Sequence, residues 1–160
     1  MKKYEELLVS LRKVIRAIDL YSKKLSKETG LTSPQLLVLQ SIYRHEGVMV
    51  KEIAEDINLS SATITSILDR LEKRELVRRL RSTEDKRKVE ISLTQTGIEM
   101  IADAPTPLQE HFINRFESME EWEQSQMLAT MQRIVSMMNA GELDASPVLE
   151  VGVLHVKPSE

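Results

Sequence analysis

The sequence predicts a mainly α-helical protein with one two-stranded β-hairpin. Apolar residues recur at the 3.6-residue spacing of amphipathic helices along most of the chain. Between residues 76 and 93 the spacing changes to two, which is typical of strands. The 160 residues, 41% of them hydrophobic, are enough to bury one core.

A long amphipathic helix is predicted first, because an apolar stripe runs from Leu7 to Leu25 and ends near Gly30. The stretch "TSPQLLVLQSIYRHEG" predicts a second helix. Ser33 is expected to be its N-cap and Pro34 its first helical residue, since proline fits that position well.

Two short helices follow, separated by a tight turn. "VKEIAEDIN" predicts a helix that ends at Asn58, and "SSATITSILDRLEKRE" predicts one that begins at Ser60 or Ser61. The buried face of the second is expected to hold Ile64, Ile67, Leu68 and Leu71. This spacing is that of a helix-turn-helix.

The hairpin comes next in the chain. The apolar-rich runs "LVRRLR" and "VEISL" flank "STEDKRK", which has turn formers and no apolar residue, and Thr94 is expected to cap the following helix. A helix-turn-helix followed by a two-stranded hairpin is a winged helix, in which the second helix enters the DNA major groove.

Prolines interrupt the helix "QTGIEMIADA" at Pro105 and Pro107, so we expect a kink there and a restart with Thr106 as cap. A capping box of Ser118 and Glu121 predicts the start of the last helix.

Four segments result. We expect an N-terminal dimerisation helix at 1–30, a winged helix-turn-helix DNA-binding domain at 31–95 and C-terminal dimerisation helices at 96–140. Residues 141–160 are too apolar for a plain disordered linker, and two alternatives stay open: a frayed tail, or an extended arm packed on a neighbouring subunit.

Charge is distributed unevenly along the chain. The net charge is −3, yet Arg70–Glu90 holds nine basic residues against five acidic ones. A local basic patch on an acidic protein favours a polyanion partner met by one face, although an ordinary solvated surface is the alternative.

The exposed face of the second short helix is predicted to contact bases, because small hydroxylated side chains allow close approach and can donate or accept hydrogen bonds. Its candidates are Ser61, Ala62, Thr63, Thr65, Ser66, Arg70 and Lys73. Asp69 is expected to pair with Lys73, four residues on.

In the hairpin, Arg87 is the candidate for the minor groove, since a guanidinium is weakly hydrated and attracted to narrow A·T-rich tracts. Asp85 is expected to hold its side chain, to form the turn, or both. Arg81, Lys86 and Lys88 are the expected phosphate contacts.

Enzyme chemistry has little support. His45, His111 and His155 lie far apart in sequence, there is no cysteine, and no phosphate loop or nucleophile elbow occurs. We therefore expect no catalytic residue, metal or cofactor. The absence of cysteine and of a long apolar run favours a cytoplasmic protein without a membrane segment.

The succession "ATITSILDRLEKRELVRRLRS" and "EDKRKVEISLTQTG" resembles the MarR family of bacterial transcription regulators. The wing signature of that family matches at Asp85, Arg87, Leu93, Thr94 and Gly97, and the resemblance covers roughly residues 1–140. It implies a homodimer that binds a pseudo-palindromic operator in double-stranded DNA, with repression as the default. It also implies a small-molecule effector, often an organic anion. Oxidant sensing through cysteine is excluded, and the alternative function is a winged-helix adaptor that binds only protein.

Residues 105–107, the stretches "SPQLLVLQ" and "APTPLQEHF" and the C-terminal tail look like the branch that controls ectoine or glycine betaine genes. This resemblance implies an osmotic-stress role and a betaine-like effector. A quaternary ammonium is recognised by aromatic faces. The candidate ligand-binding residues are Tyr21, Tyr43, Phe112 and Trp122, with core or interface packing as the alternative for each.

Overall fold

A computed structural model describes residues 1–45, 47–143, 145 and 147–151. The elements, in chain order, are α1 (Lys3–Thr29), α2 (Ser33–Arg44), α3 (Val50–Ile57), α4 (Ser61–Lys73), β1 (Val77–Arg81), β2 (Val89–Leu93), α5 (Gln95–Asp103), α6 (Leu108–Glu117) and α7 (Glu121–Met137). The chain forms two compact units: Met1–Pro105 with Pro147–Glu160, and Thr106–Ser146. The mainly α-helical fold with one β-hairpin is confirmed.

Helix α1 ends where the sequence predicts. Gly30 adopts the left-handed conformation (φ 70°), and its N–H donates to the Ser26 carbonyl. The guanidinium of Arg74, just beyond α4, donates to the carbonyl oxygens of Gly30 at 3.0 Å and of Thr29 at 2.9 Å. Arg74 therefore satisfies the end of α1 and joins it to the winged helix.

The cap of α2 differs from the prediction by one residue. Thr32, and not Ser33, is the N-cap: its hydroxyl accepts from the Gln35 N–H, and the Gln35 side chain accepts from the Thr32 N–H. This reciprocal pair favours Thr32, because serine at the next position has no such partner three residues on. Ser33 begins the helix instead.

The helix-turn-helix forms from α3 and α4. Asn58 ends α3 in the left-handed conformation, and the Ser60 hydroxyl accepts from the Thr63 N–H to begin α4. The four residues predicted to face inward from α4 are buried. They lie in one core with residues of α1, α2, α3 and the hairpin: Leu25, Leu31, Leu36, Val38, Leu39, Ile42, Val48, Ile53, Ala54, Ile57, Leu59, Ile64, Ile67, Leu68, Leu71, Leu76, Val77, Ile91 and Val148.

The hairpin pairs antiparallel, with Val77 opposite Leu93 and Arg81 opposite Val89. Val77 and Ile91 are buried at its base. The Ile91 N–H also donates to the Val48 carbonyl at 2.7 Å, so the loop before α3 adds a bridge to β2. The base of the wing is thereby fixed to the helical core, which the sequence pattern did not indicate.

Thr94 caps α5, as predicted, and does more. Its hydroxyl accepts from the Gly97 N–H at 3.0 Å and donates to the Glu75 carbonyl at 2.6 Å. A Cβ at Gly97 would overlap the carbonyl oxygen of Leu76. Only glycine lets α5 pack this closely on the start of the hairpin.

The predicted starts of α6 and α7 are wrong. Helix α5 stops at Asp103, and Pro107, without a side-chain cap, precedes α6, so the prolines separate two helices instead of kinking one. Ser118 ends α6, and its hydroxyl donates backwards to the Arg115 carbonyl. Glu120 is the N-cap of α7, and its N–H donates to the Glu123 carboxylate.

Part of the C-terminal tail is described. Val148 lies in the core of the first unit with 7% of its surface exposed, and the Ser22 hydroxyl donates to the Glu150 carboxylate at 3.2 Å. Residues 147–151 therefore pack on their own chain. The prediction of a frayed tail or an arm on a neighbour, where it concerns residues 152–160, lies outside the described residues.

Across the described ranges, no helix combines the length and the apolar character that crossing a lipid bilayer requires.

Candidate nucleic-acid interface

The exposed face of α4 carries six of its seven predicted contact residues. Ser61, Ala62, Thr65, Ser66, Arg70 and Lys73 are solvent-exposed. Thr63 is buried, at 9% exposure, and its hydroxyl lies 2.8 Å from the Ser60 hydroxyl. Its polar atoms complete the helix cap, and its DNA contact stays a prediction.

The Thr65 hydroxyl donates to the Ser61 carbonyl at 2.9 Å, one turn back along the helix. The bond satisfies the hydroxyl within the helix, and the exposed Thr65 side chain also carries a methyl group of the kind that contacts a thymine methyl. The first two turns of α4 present only small side chains, so nothing on this face keeps the helix away from base edges.

Asp69 does not pair with Lys73, and that prediction was wrong. Its carboxylate accepts from Arg79 Nη2 on β1 at 2.7 Å, and the same guanidinium donates to the Thr65 carbonyl at 3.3 Å. Glu72 adds a longer ion pair at 3.8 Å. A planar guanidinium can hold several acceptors at once, whereas the lysine has one flexible ammonium. Arg79 therefore joins the wing to α4.

The tip of the wing is ordered by its own polar groups. The Ser82 N–H donates to the Lys88 carbonyl and the Lys88 N–H to the Asp85 carbonyl, both at 2.9 Å. The Asp85 carboxylate accepts from the backbone N–H of Arg87 at 3.0 Å. Asp85 thus forms the turn, the second of its two predicted roles, and it sets the backbone of Arg87 instead of its guanidinium.

The cations of this surface are available to a partner. The ion pairs among the described residues involve Arg16, Lys23, Arg44 and Arg79 as cations. The predicted contact residues with positive charge are exposed and absent from those pairs: Arg70, Lys73, Arg81, Lys86, Arg87 and Lys88. The sequence could not separate them from Arg74 and Arg79, which are used inside the fold.

The pKa of one carboxyl group in the helix-turn-helix, that of Asp56, is lowered. Asp56 on α3 accepts from the buried Ser41 hydroxyl at 2.6 Å and from Arg44 at 2.8 Å. The hydrogen bond from Ser41, with the Arg44 charge, holds the pKa of Asp56 below its ordinary value. These contacts fix α3, the helix that directly precedes α4, to α2.

The four aromatic ligand candidates lie in different settings. Tyr21 packs against the core and donates to the Pro105 carbonyl at 3.4 Å, while Tyr43 is exposed. In the second unit Phe112 stacks on Phe116 with ring centroids 5.7 Å apart, beside a cavity of about 330 Å³, and Trp122 is exposed. Their role in ligand binding stays a prediction.

No group of three or more His, Asp or Glu side chains with the geometry of a metal site occurs among the described residues.

A helix-turn-helix with a cationic two-stranded hairpin fixed to it defines a winged helix-turn-helix protein. Residues 31–89 match the model of the MarR family. The chain is 38% identical over 97 residues to the organic hydroperoxide resistance transcriptional regulator of Bacillus subtilis and 33% identical over 101 residues to the transcriptional repressor MdtR of the same organism. It is 31% identical over 114 residues to the uncharacterised regulator YsmB, also from B. subtilis.

The alignments cover 66% of the hydroperoxide regulator and 65% of MdtR, each slightly less than two thirds, and 61% of this chain in both cases. The alignment with YsmB covers 78% of that protein and 71% of this chain. Among solved structures, the MepR–DNA complex of Staphylococcus aureus is similar with a TM-score of 0.58 at 23% identity, over 86% of this chain and 99% of that one. The regulator PcaV of Streptomyces coelicolor, solved with its natural ligand, gives 0.56 at 22% identity, over 80% and 90%. The chain belongs to the MarR family of winged-helix transcription regulators.

Proposed function

We propose that the protein binds double-stranded DNA sequence-specifically and regulates transcription. The observation that carries this proposal is the pairing of two surfaces that Arg79 holds in register: the small-residue face of α4 and the unpaired cations of the wing. The first suits base edges, and the second suits phosphates and a minor groove. The structural similarity to the DNA-bound MepR is evidence for the fold alone, because the sequence identity is low.

The protein is proposed to act as a homodimer on a pseudo-palindromic operator. Helix α1 exposes apolar side chains such as Leu8, Val14 and Ile15, and in the second unit α6 and α7 bury no residue while exposing Phe112 and Leu128. Apolar surface of this extent is typical of an interface between subunits. Sedimentation at micromolar concentration should give twice the chain mass of 18.3 kDa, and a monomer would exclude this arrangement.

Repression is the proposed direction of control, in the cytoplasm, with operator occupancy blocking transcription. A small effector, an organic anion or a betaine-like osmolyte, is proposed to change DNA affinity. The betaine proposal rests on the resemblance to the compatible-solute branch and on the aromatic candidates, of which Phe112 lines a cavity. Titration calorimetry with glycine betaine should give saturable heat at millimolar ligand, and its absence would remove this effector.

The experiment that tests the central function is capture of genomic fragments by the purified protein, followed by footprinting. Enrichment of a shared, two-fold symmetric sequence would support regulation, and the adjacent genes would test the osmolyte pathway. A protein-only adaptor, the second candidate, would enrich no sequence. The unpaired cations at Lys86, Arg87 and Lys88 favour the DNA-binding function, because an adaptor has no need for them.

A further inference from the structure

Arg74, the residue that ends α4, is bonded to the end of α1. Its guanidinium donates to the carbonyl oxygens of Gly30 at 3.0 Å and of Thr29 at 2.9 Å, groups that a helix end leaves without an intrahelical partner. Its backbone N–H donates to the Arg70 carbonyl at 3.3 Å, so the side chain starts directly at the last turn of α4. A planar guanidinium therefore joins the ends of the two helices.

Gly30 leaves the space that this contact needs. Its φ is 70°, and a Cβ there would lie 3.3 Å from Arg74 Nη2. Leu25 and Thr29, just before it, are buried. The Thr29 hydroxyl donates to the Leu25 carbonyl at 2.7 Å and accepts from the Leu31 N–H at 3.1 Å. The last turn of α1 is thus packed into the core and bonded to α4.

The rest of α1 depends on that turn for its direction. Of its 27 residues only two, both among the last five, are buried, and α1 makes no extensive contact with another helix or strand of the described chain. Tyr21 and Ser22, in the last third of the helix, add two longer bonds, of 3.4 and 3.2 Å. At about 1.5 Å per residue α1 is about 40 Å long, so a rotation of about 5° at its last turn moves its first turn by roughly one base-pair step of 3.4 Å.

We propose that Arg74 is a positioning residue, which fixes the direction of α1 relative to α4 and thereby the distance between the two α4 helices of the homodimer. This role rests on the proposed function, in which α1 contributes to the subunit interface and α4 contacts base edges. In a two-fold symmetric dimer, a tilt between α1 and α4 occurs in both subunits and changes that distance. Because the α4 helices of a dimer must meet half-sites about one helical turn apart, Arg74 then sets which half-site spacing the protein accepts.

The distance between the two α4 helices can be measured without DNA. The chain has no cysteine, so a nitroxide on Ser66→Cys, at an exposed position of α4, labels each subunit once. Pulsed electron double resonance on the full chain gives the distribution of distances between the two labels. Arg74→Gln should widen this distribution about twofold, because glutamine cannot hold both carbonyls. Arg78→Gln removes an exposed arginine charge on β1, and this matched control should leave the width unchanged.

Two milder variants test the same contact. Arg74→Lys keeps the charge but has one ammonium on a flexible stem, so it should give an intermediate width. Gly30→Asn keeps Arg74, and asparagine tolerates the left-handed backbone, but its Cβ displaces the guanidinium and should also widen the distribution. If Arg74→Gln does not fold, these two variants decide the outcome.

Operators with one base pair added or removed between the half-sites give a second readout. The parent should bind them about tenfold more weakly than the operator with native spacing, and Arg74→Gln should reduce that discrimination about threefold. An equal loss of affinity at every spacing, with a salt slope lowered by about one, would make Arg74 a phosphate contact and overturn the positioning role.

A wider distance distribution together with weaker spacing discrimination supports the positioning role. An unchanged distribution in a dimeric Arg74→Gln variant overturns it and leaves the proposed function standing. A parent protein that sediments as a monomer overturns both, so sedimentation distinguishes the two failures.

Discussion

Arg79 on β1 donates to the Asp69 carboxylate on α4 at 2.7 Å, and this contact links the wing to α4. Removing a negative charge close to DNA would by itself strengthen binding to any duplex. Removing the Asp69 charge also weakens the contact between the wing and α4, although Arg79 keeps the Thr65 carbonyl and Glu72 as partners. The two effects have opposite signs, which makes the contact testable.

Asp69→Asn should weaken operator binding about fivefold, equivalent to ~1 kcal/mol, because the charge-assisted hydrogen bond to Arg79 is lost. Binding to a scrambled duplex should stay equal or rise. Fluorescence anisotropy on both duplexes measures this ratio, with Asp103→Asn, on the exposed end of α5, as the charge-matched control. Stronger operator binding by Asp69→Asn would show that the contact positions nothing.

The small side chain of Ala62 should be required for close approach of α4 to base edges. Ala62→Leu should lower operator affinity by more than about tenfold, since a bulky apolar group would have to displace the helix from the groove. Residue 62 is exposed, so the thermal midpoint should hardly change. Glu28→Leu, at an exposed site on α1, controls for added surface apolarity. Unchanged affinity in Ala62→Leu would move the DNA contact away from the start of α4.

Asp56 should stabilise the helix-turn-helix in a pH-dependent manner. Asp56→Asn should lower the free energy of unfolding by about 1 kcal/mol at neutral pH, because charge-assisted bonds to Ser41 and Arg44 are weakened. The folded-state pKa of Asp56 is lowered, so its contribution is complete above the ordinary value of 3.8 and is lost as the pH falls through the folded-state pKa below it.

Urea titrations of parent and Asp56→Asn protein between pH 3 and pH 7 measure that contribution directly. The difference in unfolding free energy should be constant near neutrality and shrink in acid. Glu55→Gln, at an exposed neighbouring position, is the charge-matched control. A difference that stays constant to the acid limit would mean that the Asp56 charge does not stabilise the fold.

Gly97 should be required for the packing of α5 on the hairpin. Gly97→Ala should destabilise the protein by about 1–3 kcal/mol, the usual cost of overpacking, because the added methyl overlaps the Leu76 carbonyl. Gly141→Ala is the matched control, since a Cβ there meets no atom within 4 Å. Equal thermal midpoints for the two variants would contradict the close approach.

The helices and the hairpin could be predicted from the sequence because their signals are local. The 3.6-residue stripe of α4, the left-handed Asn58 and the apolar strands around "STEDKRK" each depend on neighbours a few residues away. Helix starts were less predictable where two caps compete. Thr32 is the N-cap instead of Ser33 because the Gln35 side chain accepts from the Thr32 N–H. Glu120 is the N-cap instead of Ser118 because the Glu123 carboxylate accepts from the Glu120 N–H.

The sequence predicted which residue types form the candidate site, but only part of how their side chains are arranged. Exposed cations can be read from a sequence, but the sequence does not tell which of them the fold uses internally. Arg74 pairs with carbonyl groups 44 and 45 residues away, and Arg79 pairs with a carboxylate 10 residues away. Contacts over such separations depend on tertiary packing. Helical periodicity predicts only pairs three or four residues apart, so it could not predict them.

The wing provides the most direct test of DNA reading. Arg87→Ala should weaken operator binding by roughly 1–3 kcal/mol and leave binding to a scrambled duplex much less affected, because this arginine is assigned to a minor groove. Lys88→Ala should weaken both duplexes about equally and lower the slope of log affinity against log salt by about one, as loss of one phosphate contact requires. The measurement is the ratio of operator to scrambled affinity for the parent and both variants across a salt series. A ratio that falls only in Arg87→Ala is the predicted result, and an Arg87→Ala variant that binds the operator as tightly as the parent would contradict the account.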